Sequence, residues 1–216
     1  ACVDDLRIRQ DELDEADVRP VVRKFVDEEW PLRFALNLRA RQIRGADRLE
    51  ALAAEITAAG GPAPIVIPCD LVQPDSGDRI AKALAAAGLE VEYVVNNAGF
   101  GLFGRAVQRD RSDQLEMIAV NIHALTDLSL RFSDQLIRNR GGLLNVGSIA
   151  GFLPGPGMAV YYATKAYVLS FTEAMRAELA PHGVRVTVLC PGPVPSEFQA
   201  RAGFRPGFDS VVLKVL

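Results

Sequence analysis

Three side chains in the second half of the sequence are spaced for proton chemistry. Ser148 lies in Leu143-Leu-Asn-Val-Gly-Ser148-Ile-Ala-Gly151, and Tyr161 and Lys165 lie in Tyr161-Tyr-Ala-Thr-Lys165. On a helix, the four-residue step puts the phenol and the ammonium on one face, a turn apart. A phenol held beside a fixed cation can exchange a proton near neutrality. Its ordinary pKa of about 10 must then fall by roughly three units, about 4 kcal/mol of preferential phenolate stabilisation. A serine hydroxyl nearby can hydrogen-bond a carbonyl oxygen and hold it in place. The chemistry this set suits is interconversion of a carbonyl and an alcohol. Competing readings exist for each residue. Tyr161 and Lys165 alone could be a core aromatic and a surface lysine, Tyr162 also lies within reach of Lys165 at i,i+3, and Ser148 could simply end a strand. A hydrolase is a poor reading: Gly147-Ser148-Ile-Ala-Gly151 is not G-x-S-x-G, and His123 and His182 have no motif around them.

The elements that must carry these residues are legible from Ala46 onward. Leu49, Leu52, Ala53 and Ile56 follow helical spacing up to Gly60-Gly61, and Ile80, Ala83, Leu84 and Ala87 make a second face closed by Gly88. Short apolar runs at Ile65–Ile67, Val91–Val95, Leu143–Val146 and Val184–Leu189 read as buried strands. A long helix bearing Leu115, Ile118, Ile122, Leu125 and Leu128 is expected behind a Ser112 cap, and another from about Val160 to Leu179 carries Tyr161 and Lys165. Strands alternating with helices predict an α/β fold, a doubly wound parallel sheet of Rossmann-like type covered on both faces. Residues 1–43 differ: they are rich in Asp, Glu and Arg, and the first glycine of the chain is Gly45. Val21–Val26 and Arg33–Leu38 are weak strand candidates there, joined by a loop too short for a crossover helix. The division expected is an atypical segment 1–43 followed by one Rossmann-like domain, 44–216.

Bulk properties narrow the function. A net charge of −3 with no basic run argues against a nucleic-acid surface. No apolar stretch approaches the roughly 18 residues of a membrane span, and the N-terminus lacks a signal-peptide layout. Cys2, Cys69 and Cys190 are far apart and odd in number, which suits a reduced, cytoplasmic setting and gives no metal site; Cys190 reads as a small buried hydrophobe.

Taken in order, the motifs resemble the classical short-chain dehydrogenase/reductase family over roughly residues 44–200. Asp70-Leu71 matches the family's acidic position after the third strand, which meets the adenine. Asn97-Ala98-Gly99 matches its N-A-G turn, and Asn121 its helix asparagine. Ser148, Tyr161 and Lys165 match the catalytic positions, and the pattern favours Tyr161 over Tyr162. Pro191-Gly192-Pro-Val194-Pro-Ser196 matches the segment against the nicotinamide. The resemblance implies reversible hydride transfer between NAD(P)H and a carbonyl or secondary alcohol. Tyr161 would donate the proton, Lys165 would lower the Tyr161 pKa and bond the nicotinamide ribose, Ser148 would hold the substrate oxygen, and Asn121 would anchor a water relaying protons to Lys165. Arg44 aligns with a basic position that meets a 2′-phosphate, which implies NADP in preference to NAD. Family members pair through the helices corresponding to Ser112–Asn139 and Val160–Leu179, so a homo-oligomer is expected, with Leu169 and Phe171 toward a partner. Phe198, Phe204 and Phe208 suggest an apolar substrate pocket.

Two departures temper this reading. The family's glycine-rich T-G-x-x-x-G-x-G turn, which lets backbone N–H groups approach the cofactor diphosphate, has no counterpart here. If Val21–Val26 takes the place of the first strand, Asp27, Glu28 and Glu29 follow it. The chain also stops at Leu216, short of the family's last strand, so the domain is expected to be incomplete at both ends and to bind the cofactor weakly. The alternative function is a non-catalytic relative acting as a binding subunit or having no function.

Overall fold

The computed structural model describes residues 35–36 and 46–192. Its order is β1 (Ala35–Leu36), α1 (Ala46–Ala58), β2 (Ile65–Val66), α2 (Ser76–Ala86), β3 (Tyr93–Asn96), α3 (Arg111–Ile118), α4 (Leu125–Arg131), α5 (Ser133–Asn139), β4 (Gly142–Val146), α6 (Ala159–Leu179) and β5 (Arg185–Leu189). The strands pair in parallel, β1 with β2 in one sheet and β3, β4 and β5 in that order in another. Parallel neighbours require crossover connections, and the helices between strands supply them. The short strand Ala35–Leu36 falls within the Arg33–Leu38 candidate. Val21–Val26 lies outside the described residues.

Register explains which side chains meet. Asn96 on β3 stands opposite Asn145 on β4, and Gly142 opposite both Tyr93 and Arg185. Val94, Asn96, Leu143, Asn145 and Val186 are buried on one face, where α4 packs on β3 and α6 packs on β4 and β5. On the other face Val95 is 54% exposed. Closure on both faces, the expectation for a parallel sheet, is therefore met on one face only among the described residues. No described strand bonds β3 on the edge away from β4.

The expected long helix is interrupted. Between α3 and α4 a π-helical turn covers Ala119–Ala124, and Phe132 separates α4 from α5. The cap of α3 is Asp110 rather than Ser112: the backbone N–H and the hydroxyl of Ser112 both donate to the Asp110 carboxylate, at 2.7 and 2.6 Å. Asp serves as well as Ser at an N-cap, and here it sits one position before the first helical residue. At the start of β4, a Cβ on Gly141 would lie 1.7 Å from the Glu92 carbonyl oxygen, so the approach of these backbones requires glycine.

Candidate active site

Because β3, β4 and β5 are parallel, their C-terminal ends open at one edge, delivering three loops to the same place: Asn97–Phe100, Gly147-Ser148 and Cys190–Gly192. This is the edge at which open α/β sheets bind ligands. The first turns of α6 bring Tyr161 and Lys165 to it.

Ser148, extended at φ −172°, begins the short turn Ile149–Phe152, and its Oγ accepts from the Ala150 N–H at 3.1 Å. Gly151 seats that turn on α6, since a Cβ there would come 2.8 Å from the Lys165 carbonyl oxygen and 2.6 Å from Leu169 Cδ1. Leu169 therefore packs within its own chain, as does Phe171, whose ring stacks on Tyr167 at 5.7 Å. Gly155 lies against Tyr162, where a Cβ would stand 2.3 Å from the ring. Tyr162 is thus committed to packing, whereas the Tyr161 phenol is hydrogen-bonded to Ser148. The structure brings Ser148, Tyr161 and Lys165 together, all buried.

Protonation differs from the sequence expectation in one respect. Burial pushes the Tyr161 phenol up, and its Ser148 hydrogen bond only partly opposes this. The expected depression by Lys165 is absent because the ammonium is turned elsewhere. Its Nζ donates to the Val146 carbonyl at 2.7 Å and lies 5.9 Å from the Tyr161 ring centre. Lys165 itself is lowered to about 8 by burial. At pH 7 the pair is a neutral phenol beside a mostly protonated ammonium. Cys190 is half-buried rather than fully buried, with burial raising its thiol against the opposing effects of the Ser148 N–H and Lys165.

Asn121 lies in the π-helical turn, a feature that re-aims side chains and recurs at functional sites. Its carboxamide clasps Phe100, accepting from the Phe100 N–H at 3.1 Å and donating to the Phe100 carbonyl at 2.9 Å. Its second N–H donates to Thr164 Oγ1 at 3.0 Å. The side chain is thus occupied by protein partners. Thr164 was not singled out by sequence reasoning, although it stands within Tyr161-Tyr-Ala-Thr-Lys165.

The candidate cofactor residues divide by position. Asn97 and Gly99 are exposed at the site edge, with Ala98 between them. A Cβ on Gly99 would stand 3.1 Å from Asn121 Oδ1 and 3.6 Å from Lys165 Nζ, so glycine keeps the approach to the lysine open. Asp70 follows β2, with one carboxylate oxygen accepting from the Val72 N–H at 3.1 Å, and Leu71 is buried in the core. The Pro191 carbonyl accepts from the Ile149 N–H at 3.2 Å, which ties the third loop to the Ser148 turn. Arg44, Val194 and Ser196, with Asp27–Glu29 and Phe198, Phe204 and Phe208, lie outside the described residues.

Comparisons with known proteins agree with this geometry. The family model described as short chain dehydrogenase matches residues 38–204. Sulfoacetaldehyde reductase of Chromohalobacter salexigens is 36% identical over 184 residues, covering 83% of this chain and 69% of that protein. Serine 3-dehydrogenase of Agrobacterium fabrum is 34% identical over 177 residues, covering 82% of this chain and 67% of that protein. Among solved structures, a short-chain dehydrogenase from Sphingobium yanoikuyae in complex with NADPH superposes with a TM-score of 0.71 at 31% identity. That match covers 79% of this chain and 65% of the other, so the chain spans a little under two-thirds of it. The chain belongs to the short chain dehydrogenase family, and its fold is the Rossmann-like α/β fold of that family.

Proposed function

We propose that this chain carries the catalytic half of an NAD(P)-dependent oxidoreductase that interconverts a small-molecule carbonyl and its secondary alcohol. The observation that supports it most is the buried convergence of Ser148, Tyr161 and Lys165 at the C-terminal edge of a parallel sheet. The residues present suit a nicotinamide dinucleotide. Asp70 and Leu71 would meet the adenine, the exposed Asn97-Ala98-Gly99 turn would meet the cofactor beside Lys165, and Pro191-Gly192 would flank the nicotinamide. Arg44, Val194 and Ser196 complete the proposed set, and Arg44 favours NADP over NAD. The bound nicotinamide supplies or takes up the hydride.

The remaining work falls to the chain. Ser148 Oγ holds the substrate oxygen against Tyr161, whose phenol, neutral at pH 7, gives its proton to that oxygen in reduction. Lys165 stabilises the phenolate left behind, which requires its ammonium to turn from the Val146 carbonyl toward Tyr161 or a bound ribose. Proton transfer of this kind contributes about 10²–10⁴ in rate.

The test follows NADPH absorbance against a panel of aldehydes, ketones and secondary alcohols. Tyr161→Phe is expected to abolish turnover while leaving cofactor affinity nearly unchanged, and Tyr162→Phe to matter much less. The reverse ranking would overturn the assignment.

A further inference from the structure

We propose that Thr164 is a positioning residue that couples the Asn97–Phe100 loop to the catalytic tyrosine. This rests on the oxidoreductase reading of the site. Thr164 is 1% exposed, as is Asn121, and its hydroxyl has two partners of opposite sense. It accepts from Asn121 Nδ2 at 3.0 Å and donates its single proton to the backbone carbonyl of Tyr161 at 2.7 Å. A hydroxyl has one proton to give, so the direction of this chain is fixed. Asn121 is fixed in turn, because its oxygen takes the Phe100 N–H and its other N–H goes to the Phe100 carbonyl. An unbroken line of hydrogen bonds therefore runs from the loop bearing Asn97-Ala98-Gly99 to the backbone of Tyr161.

The geometry makes this line more than packing. A threonine bonding back to the carbonyl three residues earlier tilts the first turns of a helix, and that turn sets where the Tyr161 phenol meets Ser148. Asn121 reaches Thr164 because the π-helical turn places it there, so the turn and the first turns of α6 are joined through one hydroxyl. Aliphatic residues of the same size would fill the space without making either bond.

Thr164→Val removes the hydroxyl at constant shape, and Thr164→Ser keeps it. The phenol is read directly in protein carrying ¹³Cζ-tyrosine, with the Tyr161 resonance assigned by its loss in Tyr161→Phe. Among the described residues, Tyr162 and Lys165 are the titratable groups facing it, with Cys190 beside Lys165, and all are the same in every variant. In Thr164→Val the Tyr161 titration midpoint is expected to move by about half a pH unit or more. Exchange of the Phe100 amide should accelerate by roughly tenfold. Thr164→Ser should restore both. If turnover is present, kcat should fall about tenfold with KM within about twofold in Thr164→Val, and recover in Thr164→Ser. Should the valine variant fail to fold, Thr164→Ala carries the same expectations. An unchanged Tyr161 titration in the valine or alanine variant, or a serine variant that behaves like valine, would overturn the proposal. Absence of turnover in the unmodified chain at saturating NADPH would overturn the oxidoreductase reading instead, leaving the titration to decide the coupling.

Discussion

Lys165 illustrates how one side chain can be costly to the fold and necessary to the site. Its folded pKa of about 8 lies below its ordinary value of 10.5 because burial disfavours the ammonium. Between those values the unfolded chain binds more protons than the folded one, so stability rises with pH across that window. Below about pH 8 the full cost is present, roughly 3 kcal/mol for a shift of this size. Lys165→Met should therefore stabilise the protein at pH 7 by up to about that amount, less the lost bond to Val146. The advantage should shrink as pH rises past 8 and vanish above 10.5. Urea denaturation at pH 7 and pH 10 measures it, and equal differences at the two pH values would refute the burial explanation. Tyr161 and Lys165 could be read from the sequence because spacing along a single helix is a local property, and Ser148 because it closes a legible strand thirteen residues before Tyr161. The direction of the Tyr161 shift could not. It depends on how deeply the phenol is buried and which carbonyl the ammonium finds, and Val146 lies nineteen residues from Lys165.

At the scale of elements, the sequence reveals where strands lie but not what joins them. Leu143–Val146 reads as a plain apolar strand, yet Asn145 within it is fully buried and links two neighbours. Asn96 Nδ2 donates to Asn145 Oδ1 at 2.9 Å, and Asn145 Nδ2 donates to Thr172 Oγ1 at 3.0 Å. The first bond crosses 49 positions of sequence and the second 27, separations over which periodicity carries no information. Ser129 on α4 completes the set by accepting from Asn96 at 3.0 Å. The three side chains are thereby bound to one another, and the cost of a break falls on the partners left behind. Asn145→Leu, close in size, should destabilise the protein by about 1–3 kcal/mol, because it leaves one Asn96 N–H only the longer contact to the Leu125 carbonyl at 3.4 Å and removes the donor to Thr172. Chemical denaturation of the variant checks this, and a change below about 0.5 kcal/mol would show that the Leu125 carbonyl replaces the lost acceptor in full. The interruption of the long helix was equally illegible: nothing in Ala119-Val-Asn-Ile-His-Ala124 marks a π-helical turn until Phe100 and Thr164 are in place as partners for Asn121.

At the scale of the whole molecule, the exposed apolar faces and the groups at the site edge bear on assembly and on cofactor affinity. Leu115, Ile118 and Leu130 are exposed large apolar residues on α3 and α4, while Leu169 and Phe171, expected toward a partner, are half-buried with intrachain neighbours at Gly151 and Tyr167. A homo-oligomer formed through the α3–α5 and α6 faces is still proposed, and a clean monomer by light scattering at tens of micromolar would count against it. Cofactor affinity is the sharper test. The groups placed at the site edge, Asp70, Asn97, Lys165 and Pro191-Gly192, suit adenine, ribose and nicotinamide, but none is a cluster of glycine N–H donors for a diphosphate. Before Gly45 the sequence contains no glycine to build one. Hydrogen bonds to charged groups contribute about 1.5–3 kcal/mol each, so two or three fewer cost roughly 3–9 kcal/mol. That difference turns micromolar binding into millimolar or weaker, each 1.4 kcal/mol being about tenfold. The 216-residue chain is accordingly expected to bind NADPH and NADH more weakly than about 1 mM, with NADPH the tighter of the two if Arg44 meets a 2′-phosphate. Titration followed by nicotinamide fluorescence decides it. Saturable micromolar binding would mean that residues 1–43 build a phosphate site by means other than a glycine turn, and substitution of Arg39, Arg41 and Arg44 would then show which cations supply it.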